Sequence, residues 1–173
     1  MDQVLTIAGW SLCGLWCLGF LLPLSVHWWR RFPRLVRRIA APDTFPTLTV
    51  VVTAKDEGDR ISDCLASLLA SDYPHFTLVA VNDRSTDSTG DEIDRLAQLD
   101  PRVRPIHIET LPADWLGKNH AMWRGAAASD SDWILFTDGD VIFQKDTIRL
   151  AIGWSVKERL DHLAMIPSML TGS

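Results

Sequence analysis

The chain has 173 residues and a formal net charge of −5, and this charge is divided unevenly. Residues 1–38 carry five arginines against Asp2, or +4, which leaves −9 for the remaining residues. The division excludes a nucleic-acid binder with a basic body, and the length excludes a two-domain soluble enzyme, since roughly 135 residues after the basic segment amount to about one domain.

An apolar run near the N-terminus predicts a membrane span. Val4–Val26 is 23 residues long and contains no charged side chain. A helix of this length can cross a hydrocarbon core of about 30 Å. Trp28 and Trp29 follow the run, and tryptophan is enriched at membrane interfaces. A signal peptide would have positive charge before a shorter apolar stretch, and core helices are usually shorter, so an anchor is favoured over a freely soluble protein.

Five arginines directly after the span predict its orientation: Arg30, Arg31, Arg34, Arg37 and Arg38. Positive charge accumulates on the cytoplasmic side of membrane segments. We therefore expect residues 1–38 to be a single-pass anchor in the cell (inner) membrane, with the body in the cytoplasm. The three cysteines agree with that compartment, because their number and spacing support neither a disulfide framework nor a zinc site. Cys64 is expected to be a packing residue.

After a linker with Pro42 and Pro46, the body alternates strand and helix patterns. Apolar strands are predicted at 48–53, 76–81, 103–108 and 133–136, with a short fifth at 163–166. Helices are predicted at 60–70, 87–99, 118–128 and 147–160. Continuous apolar strands that alternate with helices indicate an α/β fold, in which helices cover both faces of a mostly parallel sheet.

Polar residues follow three of the predicted strands, at Thr53–Glu57, Asn82–Asp87 and Asp138–Asp140. Ligands of parallel sheets bind beyond the carboxyl ends of the strands, so these residues predict a site. The turn after the first strand has neither Gly-x-Gly-x-x-Gly nor Gly-Lys-Ser/Thr, which excludes a dinucleotide-binding Rossmann half and a P-loop. Contact with phosphate is therefore expected to depend on a metal.

Asp138 and Asp140 are the predicted metal ligands. In an extended segment, side chains at i and i+2 point to the same side, so both carboxylates could share one divalent cation. Hard oxygen ligands favour Mg²⁺ or Mn²⁺, which would also bridge a diphosphate. The alternative is an ordinary Asp-Gly turn. The position after a buried strand, beside two other acidic strand ends, favours the metal site.

Three segments, in this order and spacing, resemble family 2 glycosyltransferases: Val51–Glu57, Val81–Thr89 and Phe136–Asp140. The resemblance covers about residues 46–170. It implies a GT-A fold, with residues 46–173 as the nucleotide-sugar-binding part, and a nucleotide-diphosphate sugar as donor, expected to be a UDP-sugar. Leu111–Ala121 is further similar to a membrane-bound bacterial branch that includes hopanoid- and carotenoid-associated glycosyltransferases, which implies a lipid or polysaccharide acceptor.

The resemblance implies roles for particular residues. Glu57 matches an acidic residue near the nucleoside, and Asp83 matches the carboxylate that accepts from the uracil N–H. Lys118 lies where a basic residue often meets the nucleotide or its diphosphate. Thr53, at the end of the first strand, and Asp138 are also expected to bind the donor. Asp138 and Asp140 match the metal-binding pair.

Each of these roles has a simpler structural alternative. Lys118 could be an ordinary exposed lysine, and Glu57 could compensate a helix dipole. Asp87 is expected to cap a helix. The sequence departs from the family at Asn82 and Arg84, where Asp and Gly are usual, and Asn82 leaves open which of the two residues 82 and 83 contacts the base.

No residue qualifies as the catalytic base that an inverting enzyme needs. The family places it after the metal motif, where only 33 residues follow Asp140. Glu158 and Asp161 lie in or beside a predicted helix, so we expect the base beyond Ser173 and an incomplete domain. Two alternatives remain. A haloacid-dehalogenase-like phosphatase would need its Asp-x-Asp pair after the first strand. A non-catalytic membrane protein could bind nucleotide sugars without turnover.

Overall fold

A computed structural model describes residues 44–167. Its strands and helices are β1 Leu48–Ala54, α1 Ile61–Leu69, β2 Phe76–Asp83, α2 Thr89–Leu99, β3 Val103–Ile108, α3 Gly117–Ala127, β4 Trp133–Asp138 and α4 Thr147–Glu158. Four strands and four helices were predicted at these places, and all eight are present. The predicted anchor lies outside the described residues. Between residues 44 and 167, no helix is long and apolar enough to cross a membrane.

The four strands form one parallel sheet in the order β3-β2-β1-β4, which confirms the α/β prediction. From β1 the chain moves outward to β2 and β3, and it then crosses back to place β4 on the other side of β1. This reversal opens a crevice at the carboxyl ends of β1 and β4, where such sheets bind ligands. Thr53 of β1 is paired with Asp138 of β4 at that end.

Helices cover both faces of the sheet. On one face, Val50 and Val52 of β1 are fully buried in the cluster that contains the apolar residues of α1, α2 and α4. On the other face, Val51 is buried with Ala121 of α3. β-branched residues suit this pleated, doubly covered position, and alternation along β1 sends neighbouring valines to opposite faces.

The predicted fifth strand at 163–166 is wrong. Residues 162–167 have no regular secondary structure, and Ile166 is 78% exposed. A short apolar run does not by itself distinguish a strand from other structure, because a strand forms only against a neighbouring edge. Within residues 44–167, β4 lies at the edge of the sheet without a further strand beside it.

Gly125 lets α3 approach β1 closely, and its replacement is expected to destabilise the fold. A Cβ at this position would lie 2.3 Å from Cγ1 of Val51, a stiff β-branched side chain. Gly125→Ala should lower the free energy of unfolding by about 1–3 kcal/mol, measured by urea denaturation. The double variant Val51→Ala/Gly125→Ala removes the clashing methyl groups, so it should lose less than the sum of the single variants. Full additivity would contradict the proposed contact.

Candidate functional site

A cleft of about 290 Å³ opens at the carboxyl ends of β1, β2 and β4, next to the first turn of α3. All six residues predicted from the sequence to form a site line this cleft: Thr53, Glu57, Asp83, Lys118, Asp138 and Asp140. The structure therefore brings them together at the crevice where parallel sheets bind ligands. Their individual roles stay predictions.

Strand alternation decides which of Asn82 and Asp83 faces the cleft. Val79 and Val81 of β2 are buried on the α3 side of the sheet, so Asp83 continues that side. Asn82 belongs to the opposite side, where its Nδ2 lies 3.2 Å from Nδ1 of His107. Its Oδ1 accepts a hydrogen bond of 3.2 Å from the backbone N–H of Ser85. Asp83 therefore lines the cleft and Asn82 does not, while contact with a base stays a prediction.

The Asp83 carboxylate is paired with Arg84, a contact that the sequence analysis missed. Nε of Arg84 donates to Oδ1 at 2.8 Å and Nη2 donates to Oδ2 at 3.1 Å, while the Asp83 side chain is only 7% exposed. Arg84 has φ 55°, a left-handed backbone that costs a non-glycine residue about 1–2 kcal/mol. The signal in the sequence was the arginine itself, at a position where the family usually has glycine.

The start of α3 lies directly against this ion pair. A Cβ added to Gly117 would lie 2.7 Å from Oδ2 of Asp83 and 2.6 Å from Nη2 of Arg84. A larger residue at this position would push the two side chains aside and disturb their ion pair. Gly117 therefore lets the helix that carries Lys118 begin at the floor of the cleft.

Lys118 is ion-paired with the predicted metal ligand Asp138. Its Nζ lies 2.8 Å from Oδ1 and 3.0 Å from Oδ2, and both side chains are more than half exposed, at 61% and 51%. Lys118 is therefore not an unpaired surface lysine, and burial does not hold its side chain in position. The sequence placed both residues in the site and did not predict that they contact each other.

Asp140 reaches the cleft by a turn, and the extended geometry assumed for it is wrong. β4 ends at Asp138, and Gly139 and Asp140 lie in the turn that follows. The N–H of Gly139 donates to the carbonyl of Thr53 at 3.1 Å, and a Cβ on Gly139 would lie 3.0 Å from Cβ of Ala54. Glycine is needed because the turn packs directly on β1. Asp140 itself is 4.0 Å from Nη1 of Arg60.

The donor set of the cleft fits a divalent cation that is shared with a phosphate ligand. Residues 44–167 contain no group of three or more His, Cys, Asp or Glu arranged to hold a metal alone. Asp138 and Asp140 supply hard carboxylate oxygens on the same cleft. Mg²⁺ is commonly held by one or two carboxylates together with substrate phosphates. The pair suits that kind of site.

The loop after β1 is hydrogen-bonded to the loop after β2. The N–H of Asp56 donates to Oγ of Ser85 at 3.0 Å, and Oδ1 of Asp56 accepts from the N–H of Thr86 at 2.7 Å. The N–H of Gly58 donates to Oδ2 of Asp87 at 2.8 Å. Much of the polar motif after β2 therefore holds the neighbouring loop in place, and with it Glu57.

Asp87 caps α2, as expected, although it lies one residue before the N-cap position. The N-cap residue of α2 is Ser88, whose side chain makes no capping bond. Asp87 instead accepts from the first helical N–H, that of Thr89, at 3.0 Å. Its hydrogen bonds to the Thr89 hydroxyl and to the N–H groups of Gly58 and Thr89 lower the pKa of the Asp87 carboxyl below its ordinary value.

We expect this lowered pKa to give Asp87 an acid-sensitive share of stability. A carboxyl whose folded pKa lies below its unfolded pKa stabilises the fold above the unfolded value, near 4. That contribution is lost as the pH falls through the folded pKa. Asp87→Ala should therefore be less stable than wild type at pH 7, with a difference that shrinks towards pH 3 in urea titrations. Asp91→Ala, in the first turn of the same helix, is the control and should show a smaller change. A difference for Asp87→Ala that is independent of pH would contradict this assignment.

Cys64 is a buried packing residue, as predicted, and His120 is buried as well. Cys64 is fully buried, its Sγ donates to the carbonyl of Asp138 at 3.6 Å, and burial raises the pKa of its thiol to about 12. His120 is 4% exposed, with its ring centroid 5.3 Å from Trp115 and 6.0 Å from Trp123. These two tryptophans are 39% and 54% exposed.

Comparisons with known proteins agree with this architecture. Residues 49–166 match the model of the family described as Glycosyl transferase family 2. The chain is 30% identical over 107 residues to 4,4'-diaponeurosporenoate glycosyltransferase of Staphylococcus aureus, covering 61% of this chain and 27% of the relative. It is 26% identical over 103 residues to TuaG of Bacillus subtilis, named for teichuronic acid biosynthesis, covering 60% of this chain and 39% of that protein.

A solved structure is also similar. The mannosyltransferase PcManGT from Pyrobaculum calidifontis, in complex with GDP-Man and Mn²⁺, aligns with a TM-score of 0.64 and 25% identity. The alignment covers 83% of this chain and 42% of that one. The chain thus spans less than half the length of each of these proteins.

Proposed function

The chain belongs to glycosyl transferase family 2, and we propose that it binds a nucleotide-diphosphate sugar in the cleft and transfers the sugar to a lipid or polysaccharide acceptor. The observation that carries the proposal is the meeting of Asp83, Lys118, Asp138 and Asp140 in one cleft at the reversal of the sheet. With Glu57, four carboxylates face two lysines there. Such a cleft repels a diphosphate unless a divalent cation accompanies it.

We propose a UDP-sugar as the donor. The N3–H of uracil can donate to the Asp83 carboxylate, which retains lone pairs while Arg84 is bound. The GDP-Man in the similar mannosyltransferase supports a nucleotide-diphosphate sugar as the class of donor. Guanine also presents an N–H, at N1, so Asp83 alone suits either base. Competition between UDP and GDP for the purified chain decides between them.

In the proposed reaction, the bond between the sugar's anomeric carbon and the β-phosphate oxygen breaks, and the acceptor hydroxyl forms the new bond. A cation bound at Asp138 and Asp140 would neutralise charge on the departing diphosphate. Lys118, on the first turn of α3, can donate to the phosphate oxygens. Asp83 would orient the base, and Thr53 and Glu57 would line the nucleoside part. The hydroxyl proton must pass to a base.

That base has no candidate among the described residues. The four carboxylates of the cleft are all assigned to the donor, and neither Glu158 nor Asp161 lines the cleft. Transfer therefore needs a base from outside residues 44–167. The second candidate function, binding of nucleotide sugar without turnover, is favoured by this one observation. The phosphatase alternative is excluded by family membership and by the position of Asp138 after the fourth strand.

The anchor and the acceptor are part of the same proposal. The apolar run and the arginines that follow it favour a single-pass anchor with the body in the cytoplasm. The relatives are named for 4,4'-diaponeurosporenoate and for teichuronic acid biosynthesis, and these names support a lipid or polysaccharide acceptor. A reporter fused after Ser173 should be active in the cytoplasm, and periplasmic activity would refute this orientation.

The function is tested with the full chain purified in detergent. Binding of UDP-glucose and GDP-mannose is measured with Mn²⁺, with Mg²⁺ and with EDTA. Metal-dependent binding of at least one donor is expected, and metal-independent binding would overturn the site assignment. Radiolabelled donor is then incubated with a bacterial lipid extract. Label in lipid over many turnovers would establish a complete enzyme, while tight binding without transfer would support the non-catalytic alternative.

A further inference from the structure

Lys118 and the expected cation would bind the same carboxylate, that of Asp138. Nζ of Lys118 is within hydrogen-bonding distance of both oxygens of Asp138, at 2.8 and 3.0 Å. These oxygens are the ones a divalent cation would need. An ammonium group bonded to both oxygens takes up two of the lone pairs and places a positive charge beside the carboxylate, so it weakens binding of the cation until it moves.

We propose that Lys118 occupies Asp138 in the absence of ligand and moves to the donor's diphosphate when the metal binds, so that metal and donor bind cooperatively through this lysine. The inference rests on the proposed function and adds a coupling residue to it. A donor phosphate attracts Lys118 away from Asp138, and Asp138 then becomes free for the cation. Once the cation binds Asp138, Lys118 loses that partner and can pair with the donor phosphate.

Three observations make such an exchange physically reasonable. Both side chains are more than half exposed, at 61% and 51%, so little packing holds the ion pair together. An exposed ion pair contributes little free energy, and lysine carries its charge on a flexible four-carbon stem. Lys118 also starts from the first turn of α3 and lines the cleft, so its ammonium group can reach a ligand there.

Thermodynamic linkage gives the exchange a measurable consequence. If donor strengthens metal binding by some factor, metal strengthens donor binding by the same factor. Direct bridging of the metal by the diphosphate contributes one part of this factor, and release of Lys118 contributes another. Removing Lys118 should remove only the second part, and it should also strengthen metal binding when no donor is present.

The matched control is Lys55, the second lysine that lines the cleft. It makes no ion pair with Asp138 among the contacts of residues 44–167. Loss of either lysine removes one positive charge from the same cleft, so general electrostatic attraction of the cation rises in both variants. Only Lys118→Met also removes the competitor from the carboxylate. Lys118→Arg keeps a cation that can occupy Asp138.

The experiment measures the dissociation constant of Mn²⁺ for the full chain in detergent, by electron paramagnetic resonance of free Mn²⁺. It is done without nucleotide and with UDP or GDP, whichever of the two binds more tightly. Without nucleotide, Lys118→Met should bind Mn²⁺ several-fold more tightly than wild type, and clearly more tightly than Lys55→Met, whereas Lys118→Arg should not. The factor by which nucleotide strengthens Mn²⁺ binding should fall several-fold in Lys118→Met. The nucleoside without phosphates should not change Mn²⁺ binding.

Two results would overturn the inference while leaving the proposed function intact: equal tightening in Lys118→Met and Lys55→Met, or an unchanged nucleotide factor in Lys118→Met. In both cases Mn²⁺ binding would still be lost in Asp138→Asn. Mn²⁺ binding that is unaffected by Asp138→Asn would overturn the proposed metal site, and the lysine exchange with it.

Discussion

Asp138→Asn is expected to weaken metal-dependent donor binding by about 100-fold, and Asp140→Asn by a comparable factor, since lost charge contacts of this kind amount to roughly 3 kcal/mol. Both carboxylates line the cleft, and within residues 44–167 no third acidic, histidine or cysteine ligand joins them in a metal-holding group. The amide keeps the size of the side chain and removes its charge. The cation then loses one of two anionic protein ligands, and the donor loses the cation.

The measurement is titration calorimetry of nucleotide-diphosphate sugar at saturating Mn²⁺, repeated in EDTA. Asp130→Asn is the matched control, because Asp130 is exposed and does not line the cleft. It should bind donor as wild type does. Residual binding in EDTA should be equal in all the chains. If Asp138→Asn and Asp140→Asn both retain wild-type affinity in Mn²⁺, the pair is an ordinary Asp-Gly turn and the metal is held elsewhere.

The sequence predicted the four strands that form the sheet and six of the ten residues that line the cleft. The β1 segment is rich in valine and too apolar for a half-exposed strand. Such a strand predicts a sheet that is covered on both faces. Parallel strands then place their polar ends at one edge. Thr53, Asp83 and Asp138 therefore meet in one cleft without any knowledge of side-chain conformation.

Contacts between those residues could not be predicted in the same way. Whether Lys118 bonds Asp138, or Arg84 bonds Asp83, depends on backbone angles and rotamers that hydrophobic periodicity does not encode. Arg84 is instructive, since its φ of 55° belongs to a region where glycine is the usual residue. The departure from the family was visible in the sequence, but the ion pair that accompanies the unusual backbone was not.

The turn at Asp140 shows the same limit. A continuous strand would place Asp138 and Asp140 on one side, but β4 ends at Asp138. In this turn Gly139 packs close to Ala54, and this contact between distant parts of the chain has no local signal. Both carboxylates still line the cleft. The prediction was therefore right about the place and wrong about the geometry.

Asp83→Asn is expected to reduce the preference for UDP over CDP by about 10- to 100-fold, the size of a hydrogen bond to a charged group. Uracil presents an N–H at N3, whereas cytosine presents an unprotonated nitrogen there. A carboxylate can only accept, so it favours uracil. An amide can also donate, which suits cytosine. Asp83 lines the cleft with its side chain only 7% exposed, so its identity should decide the pairing.

The variant Arg84→Gly tests whether Asp83 binds the base or only forms a structural ion pair with Arg84. Glycine adopts the φ of 55° without strain and leaves the Asp83 carboxylate in place. If Asp83 reads the base, Arg84→Gly should keep the preference for UDP over CDP while Asp83→Asn loses it, in competition binding with Mn²⁺. If Asp83 serves only to hold Arg84, both variants should change stability and neither should change the preference.

Urea unfolding of the two variants at pH 7 supplies the stability comparison. Arg84 is 27% exposed, so its guanidinium can be hydrated when Asp83 is replaced, and Asp83→Asn should remain folded well enough for the binding measurement.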